Sequence, residues 1–135
     1  MTVYADNAAT TRMSRTALDA MLPAMEENYG NPSSLHSVGQ RAAELLMKSR
    51  ETVARCLNCQ PREIIFTSGG SEADNQALLS AAAIGRRKGK LHIISTAFEH
   101  HAVLHTLKKL EKEGFEVTLL DVGPTGTITP QQVAE

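Results

Sequence analysis

The hydrophobic positions in the first part of the chain recur at helical spacing. Residues 15–27 carry apolar side chains three and four positions apart, behind Ser14 as an available N-cap. Residues 36–58 carry a second, longer apolar stripe, for which Ser34 is an available cap. The turn-forming segment 29–34 separates the two patterns. The sequence therefore predicts a short amphipathic helix followed by a long surface helix.

After Pro61 the pattern changes to short apolar runs that alternate with helical stretches. The predicted elements are strands at 64–66, 91–94 and 115–120 and helices at 71–88 and 100–113. Gly114 suits the end of the second of these helices. A β-α-β-α-β order requires crossover connections, so the predicted fold class is α/β with a mainly parallel sheet covered by helices.

The last residues have the pattern of a helix start. Thr129 is a capping residue, Pro130 suits the first helical position, and Gln132 stands at the third position of a capping box. A helix that begins there has little room before Glu135, so we expect the chain to be the front part of a longer protein; the alternative is a frayed tail. The predicted regions are an N-terminal segment at 1–14, a helical region at 15–60 and the start of a large α/β domain at 61–135.

Composition excludes some classes of function. The 135 residues include 14 Lys and Arg and 15 Asp and Glu, for a net charge of −1, and aromatic residues make up 4%. A nucleic-acid partner is therefore not expected. No apolar run approaches the roughly 20 residues that span a bilayer, so no membrane association is expected. Two cysteines are too few for a disulfide scaffold, and we predict a cytoplasmic protein.

A glycine-rich turn joins the first predicted strand of the α/β region to the helix after it. Segment 66–73 contains Gly69, Gly70 and Ser71 at this junction. Unpaired backbone N–H groups and the positive end of the helix dipole favour an anion there, and glycine lets the anion approach closely. The segment is neither a Walker loop nor a GxGxxG fingerprint. It predicts either a phosphate site or an ordinary turn with a serine cap.

Histidines follow the next predicted strand. Because ligands bind at the carboxyl ends of parallel strands, His100 is expected beside the glycine-rich turn, where an imidazole can stack on a ring or transfer a proton. The alternative is a solvated or capping histidine. His101 and His105 have a spacing that metal ligands use, but no carboxylate or cysteine stands at a matching spacing, so no metal site is predicted.

The two cysteines have CxxC spacing. Cys56 and Cys59 close a predicted helix, whereas a thioredoxin-like pair opens one. Cys56 lies on the apolar stripe, which favours a small buried side chain over redox or metal chemistry.

Four ordered segments together resemble the N-terminal portion of a cysteine desulfurase of the NifS/IscS type. This group belongs to the class V aminotransferase family of fold-type I pyridoxal-phosphate enzymes, so the resemblance implies the front part of their large domain. The segments are Asp6-Asn7-Ala8-Ala9-Thr10-Thr11, Gly30-Asn31-Pro32-Ser33-Ser34-Leu35-His36, Glu63 to Asn75, and Glu99-His100-His101-Ala102-Val103-Leu104.

The resemblance implies roles for three residues. Gly70 and Ser71 match the positions that bind the cofactor phosphate, and His100 matches the histidine that stacks on the pyridine ring and takes part in proton transfer. The family's Schiff-base lysine and sulfur-accepting cysteine match no residue of this chain. We therefore expect the chain alone to form no alanine from pyridoxal phosphate and cysteine.

The resemblance also implies the reaction and partners of a whole enzyme. The cofactor is pyridoxal 5′-phosphate, and L-cysteine is converted to L-alanine and an enzyme persulfide for iron-sulfur cluster assembly or other sulfur delivery. A homodimer and a sulfur-acceptor or scaffold protein are the expected partners. The alternatives are a selenocysteine lyase-like or kynureninase-like enzyme of the same family, a non-catalytic α/β interaction module, or a small redox or metal protein.

Overall fold

The computed structural model describes residues 2–135 and divides into two compact units. The first unit ends at Ile65 and the second begins at Phe66. The three regions predicted at 1–14, 15–60 and 61–135 remain predictions.

The first unit is helical. Its elements are α1 at Arg15–Glu26, α2 at Ser37–Leu57 and a 3₁₀ helix at Pro61–Glu63. The predicted cap of α1 is confirmed, because the Ser14 side chain accepts a hydrogen bond from the backbone N–H of Ala17. The predicted cap of α2 is wrong. His36 directly precedes the helix and caps it, whereas Ser34 lies two residues before the capping position.

The buried face of α2 differs from the predicted stripe. Its buried residues are Gly39, Ala42 and Ala54, and Cys56 is exposed. The expectation that Cys56 fills a buried position is therefore wrong. An apolar stripe indicates one candidate face of a helix, but packing against neighbouring elements decides which positions are covered.

The second unit contains a parallel pair of strands. Its elements are α3 at Gly70–Arg87, β1 at His92–Thr96, α4 at His101–Lys112, β2 at Glu116–Leu120 and α5 at Pro130–Ala134. The two strands pair in parallel, with a register that runs from His92 opposite Glu116 to Thr96 opposite Leu120. Helix α4 is the crossover between them, so the predicted α/β class with a parallel sheet is confirmed.

The strand predicted at 64–66 is wrong. Ile64 has an extended backbone, with φ −88° and ψ 123°, but the sheet formed by residues 2–135 consists of β1 and β2. A strand is defined by hydrogen bonds to a neighbouring strand. The apolar run agrees with the extended conformation of Ile64, but it carried no information about a neighbouring strand.

The core of the second unit lies where α3, α4 and the sheet meet. Its buried cluster consists of Ala82, Leu110 and Phe115, with Leu79 and Ile93 packed against it. Gly114, at φ +93°, turns the chain from α4 into β2, as the sequence predicts. The N–H of Phe115 then donates to the carbonyl oxygen of Leu110 at 3.1 Å. This turn places the side chains of Leu110 and Phe115 together in the core.

No helix among residues 2–135 has the length and apolar character needed to cross a membrane.

The last helix, α5, is short. The capping box predicted for α5 is confirmed. The Thr129 side chain accepts from the N–H of Gln132, and the Gln132 side chain accepts from the N–H of Thr129. Pro130 occupies the first helical position.

Candidate functional site

The N-terminus of α3 offers backbone N–H groups without a side-chain cap. The N-cap is Gly69, so no side chain accepts from the first turn of this 18-residue helix. A Cβ atom added to Gly69 or Gly70 would meet nothing within 4 Å. The turn therefore has room for an anion close to the backbone, at the positive end of the helix dipole.

The turn before α3 is organised by a carboxylate. Glu72 Oε2 accepts from the backbone N–H of Ser68 at 2.7 Å and from the Ser68 hydroxyl at 2.6 Å. The Thr67 hydroxyl donates to the carbonyl oxygen of Gly69 at 3.1 Å. The hydrogen bond from the Ser68 hydroxyl, and then that from its N–H, hold the pKa of Glu72 below its ordinary value of 4.5.

Replacing Ser68 with alanine is expected to raise the pKa of Glu72. The variant removes the hydroxyl donor and keeps the N–H donor, so the pKa moves toward 4.5 without reaching it. Because the folded-state pKa is lowered, this contact stabilises the protein above the ordinary pKa, and the stabilisation is lost as the pH falls through the lowered value. NMR titration of the Glu72 carboxyl carbon measures the change.

The matched control for this titration is Ser80→Ala. Ser80 is an exposed serine further along the same helix and lies outside the turn. It should leave the titration of Glu72 unchanged. Equal Glu72 pKa values in the Ser68→Ala variant and the unmodified protein would show that the hydroxyl does not hold this carboxylate.

Two sequence-predicted residues line the same open cavity of the second unit. Ser71, in the first turn of α3, and His100, directly before α4, both contribute to a cavity of about 390 Å³. Gly70 is the residue before Ser71 and begins α3. The remaining lining residues are Asn75, His101, Ala102, His105, Thr106 and Lys109.

His100 is the N-cap of α4. Its Nδ1 atom accepts from the backbone N–H of Ala102 at 3.1 Å. A backbone N–H can only donate, so in the neutral ring the proton resides on Nε2. The capping role considered from the sequence is therefore realised through Nδ1, which leaves Nε2–H as a hydrogen-bond donor.

The other candidate metal ligands are not assembled into a site. The rings of His101 and His105 stack with centroids 5.5 Å apart. Cys56 and Cys59, in the first unit, are both free thiols. Within residues 2–135, no group of three or more His, Cys, Asp or Glu side chains is arranged to hold a metal ion.

Sequence reasoning missed two polar residues of the cavity wall. The Thr106 hydroxyl donates to Asn75 Oδ1 at 2.6 Å, joining α4 to α3. Thr106 is 4% exposed, the one polar residue among the buried residues of the described chain. Asn75 stands one helical turn after Ser71. The available signal for a buried polar contact was Thr106 itself, a polar residue beside the apolar positions of its helix. Its partner lies 31 residues away in the sequence, so the pairing could not be read from the local pattern.

Comparison with known proteins shows similarity along almost the whole chain. The sequence model of one family, described as "Aminotransferase class-V", matches residues 3–135. A protein of Methanosarcina thermophila named cysteine desulfurase IscS is 47% identical over 97% of this chain and 32% of its own length. A protein of the same name from Clostridium botulinum (strain Kyoto / Type A2) is 48% identical over 97% of this chain and 33% of its own length.

Solved structures show the same similarity. A NifS-like protein superposes with a TM-score of 0.90 at 40% identity, over 98% of this chain and 36% of its own. DndA from Streptomyces lividans superposes with a TM-score of 0.81 at 43% identity, over 98% of this chain and 37% of its own. The chain thus spans about a third of the length of the relatives it matches.

Proposed function

Because the chain belongs to the class-V aminotransferase family, we propose that it supplies the phosphate-binding turn and the ring-facing histidine of a cysteine desulfurase. The observation that carries the proposal is the shared cavity of Ser71 and His100. Ser71 lies in the uncapped first turn of α3, where an anion is favoured. The names of the relatives support this activity over the selenocysteine lyase-like and kynureninase-like alternatives.

The residues of this chain fit pyridoxal 5′-phosphate. The N–H groups of Gly70 and Ser71 and the Ser71 hydroxyl can bind the phosphate, because the turn has no side-chain cap and open space at the glycines. His100 can lie against the ring and hold a proton on Nε2. When bound, the cofactor supplies an electron sink for the substrate's α-carbon. The role of this chain is to bind and orient it.

The whole-enzyme activity belongs to the same proposal. L-cysteine is converted to L-alanine, and the sulfur passes to a cysteine thiolate as a persulfide. One similar solved structure is described as SspA in complex with cysteine, which supports this substrate. The proposal includes a homodimer in the cytoplasm that delivers sulfur to acceptor or scaffold proteins. It assigns the lysine and the persulfide-forming cysteine to residues outside this chain, so the chain alone is expected to be inactive.

Replacing Ser71 with alanine is expected to weaken binding of pyridoxine 5′-phosphate by roughly 10-fold or more, the usual effect of removing a hydrogen bond to a charged group. Pyridoxine 5′-phosphate carries an alcohol where the cofactor carries an aldehyde, so it cannot condense with lysines. Isothermal titration calorimetry of the chain gives the dissociation constant.

The matched control is the Ser80→Ala variant. Ser80 is exposed on the same helix and lies outside the cavity, so the variant keeps the site intact. It should bind pyridoxine 5′-phosphate as the unmodified chain does. Pyridoxine without phosphate should bind far more weakly to all three proteins. The phosphate role of Ser71 is wrong if its variant and the Ser80 variant show the same affinity.

A further inference from the structure

Asn75 and Thr106 form a polar link between the two helices that carry the candidate site. Besides its bond to Asn75 Oδ1, the Thr106 hydroxyl lies 2.9 Å from the carbonyl oxygen of Ala102. Asn75 Nδ2 donates to the carbonyl oxygen of Ser71 at 2.8 Å and to that of Ala102 at 3.5 Å. The pair therefore contacts the first turns of both α3 and α4.

Ala102 connects this link to His100. Its carbonyl oxygen accepts from Asn75 Nδ2 and shares the single Thr106 hydroxyl proton with Asn75 Oδ1, while its N–H donates to Nδ1 of the His100 ring. A continuous path of hydrogen bonds thus runs from the backbone of Ser71, through Asn75 and Ala102, to the imidazole. Since Thr106 is buried, water competes poorly for its hydroxyl.

We propose that Asn75 and Thr106 are positioning residues, which fix the first turn of α4 against α3 and thereby hold His100 in its Nε2–H form facing the cavity it shares with Ser71. The inference rests on the proposed function for the identity of the ligand. Its effect on His100 itself is independent of any ligand. Neither residue is assigned a contact with the cofactor or the substrate.

A local structural role would predict a different result. Ser and Thr hydroxyls in helices often donate to the carbonyl one turn earlier, as Thr52 does to Lys48 in α2 at 2.9 Å. Thr106 adds the 2.6 Å bond to Asn75, across 31 residues. If only the local bond to Ala102 mattered, Asn75→Ala would leave the His100 tautomer unchanged, whereas the positioning role requires it to reproduce the effect of Thr106→Val.

The first test follows the His100 ring by ¹⁵N NMR in the chain without ligand, at a pH where the ring is neutral. Thr106→Val keeps the side-chain shape and removes the hydroxyl, and it is expected to increase the Nδ1–H form of His100. Thr106→Ser restores the hydroxyl and should restore the Nε2–H form. Asn75→Ala removes the other partner and should reproduce the effect of Thr106→Val.

His36 is the internal control in the same spectra. Its Nδ1 atom also caps a helix, by accepting from the N–H of Gly39 at 3.3 Å, and it lies in the first unit. Its tautomer should stay unchanged in all variants. Thr52→Val is the matched control variant, which removes a hydroxyl that bonds only to its own helix and to Arg55. It should leave His100 unchanged.

The second test measures pyridoxine 5′-phosphate affinity in the same variants. Thr106→Val and Asn75→Ala should each weaken binding by roughly 10-fold, as expected for a lost hydrogen bond that orders the site, and Thr106→Ser should not. Circular dichroism confirms that each variant keeps its helices. If Thr106→Val loses them, Asn75→Ala decides the outcome.

The two hypotheses fail in distinguishable ways. An unchanged His100 tautomer in folded Thr106→Val and Asn75→Ala overturns the positioning role, even if the unmodified chain binds the ligand through Ser71. A changed tautomer that Thr106→Ser reverses supports the positioning role, even if the chain binds no pyridoxine 5′-phosphate, a result that would count against the proposed function alone.

Discussion

Replacing Leu110 with alanine is expected to lower the free energy of unfolding by about 3 kcal/mol, the usual cost of deleting a fully buried leucine. Leu110 is 1% exposed, and it packs with Ala82 and Phe115 in the core of the second unit. Alanine would leave a cavity that α3, α4 and the sheet cannot close without moving. The total free energy of unfolding of a small domain is about 5–15 kcal/mol, so this loss is a large share of its stability.

Urea unfolding followed by circular dichroism measures this effect, with Leu119→Ala as the matched control. Leu119 lies on β2 and is 46% exposed, so its truncation should cost less than about 1.5 kcal/mol. If the two variants shift the urea midpoint equally, Leu110 does not occupy the core position described above.

Replacing Gly39 with alanine is the second large expected effect, a loss of about 1–3 kcal/mol from overpacking. A Cβ at this position would lie 2.5 Å from the carbonyl oxygen of Ser34 and 2.7 Å from that of Asn31. Both atoms are backbone and cannot rotate away as the end of a flexible side chain can. The N–H of Gly39 also donates to the His36 cap of α2, so any shift of the backbone loosens that cap.

The control for this experiment is Gly123→Ala, where an added Cβ meets nothing within 4 Å. It should change the urea midpoint little or raise it slightly, because alanine restricts the unfolded chain. A Gly39→Ala variant as stable as the Gly123→Ala variant would show that the loop before α2 is not packed against Gly39.

Two of the three predicted helix caps are confirmed, and in these the partners lie within one helical turn. Ser14 caps α1, and Thr129, Pro130 and Gln132 form the capping box of α5, as predicted. Capping depends on residues a few positions apart, so local order suffices. The cap predicted for α2 is wrong because the helix begins at Ser37, which makes His36 and not Ser34 the capping residue.

Two predictions that depend on residues distant in the sequence are wrong. Segment 64–66 was predicted as a strand from its apolar run, but the ladder among residues 2–135 joins only β1 and β2. Cys56 was predicted to be buried from its place on a helical stripe, and it is exposed. In both cases the local pattern shows only that a segment is able to pair or be buried. Whether it does so depends on which other parts of the fold pack against it.

The sequence by itself determined the α/β class, the caps of α1 and α5, and the choice of Gly70, Ser71 and His100 as candidates, since these follow from periodicity, turn chemistry and motif order. Only the tertiary structure brought Ser71 and His100 onto one cavity and joined Asn75 to Thr106. The reason is physical: hydrogen bonds and cavities between α3 and α4 exist only after the parallel crossover has packed the two helices side by side.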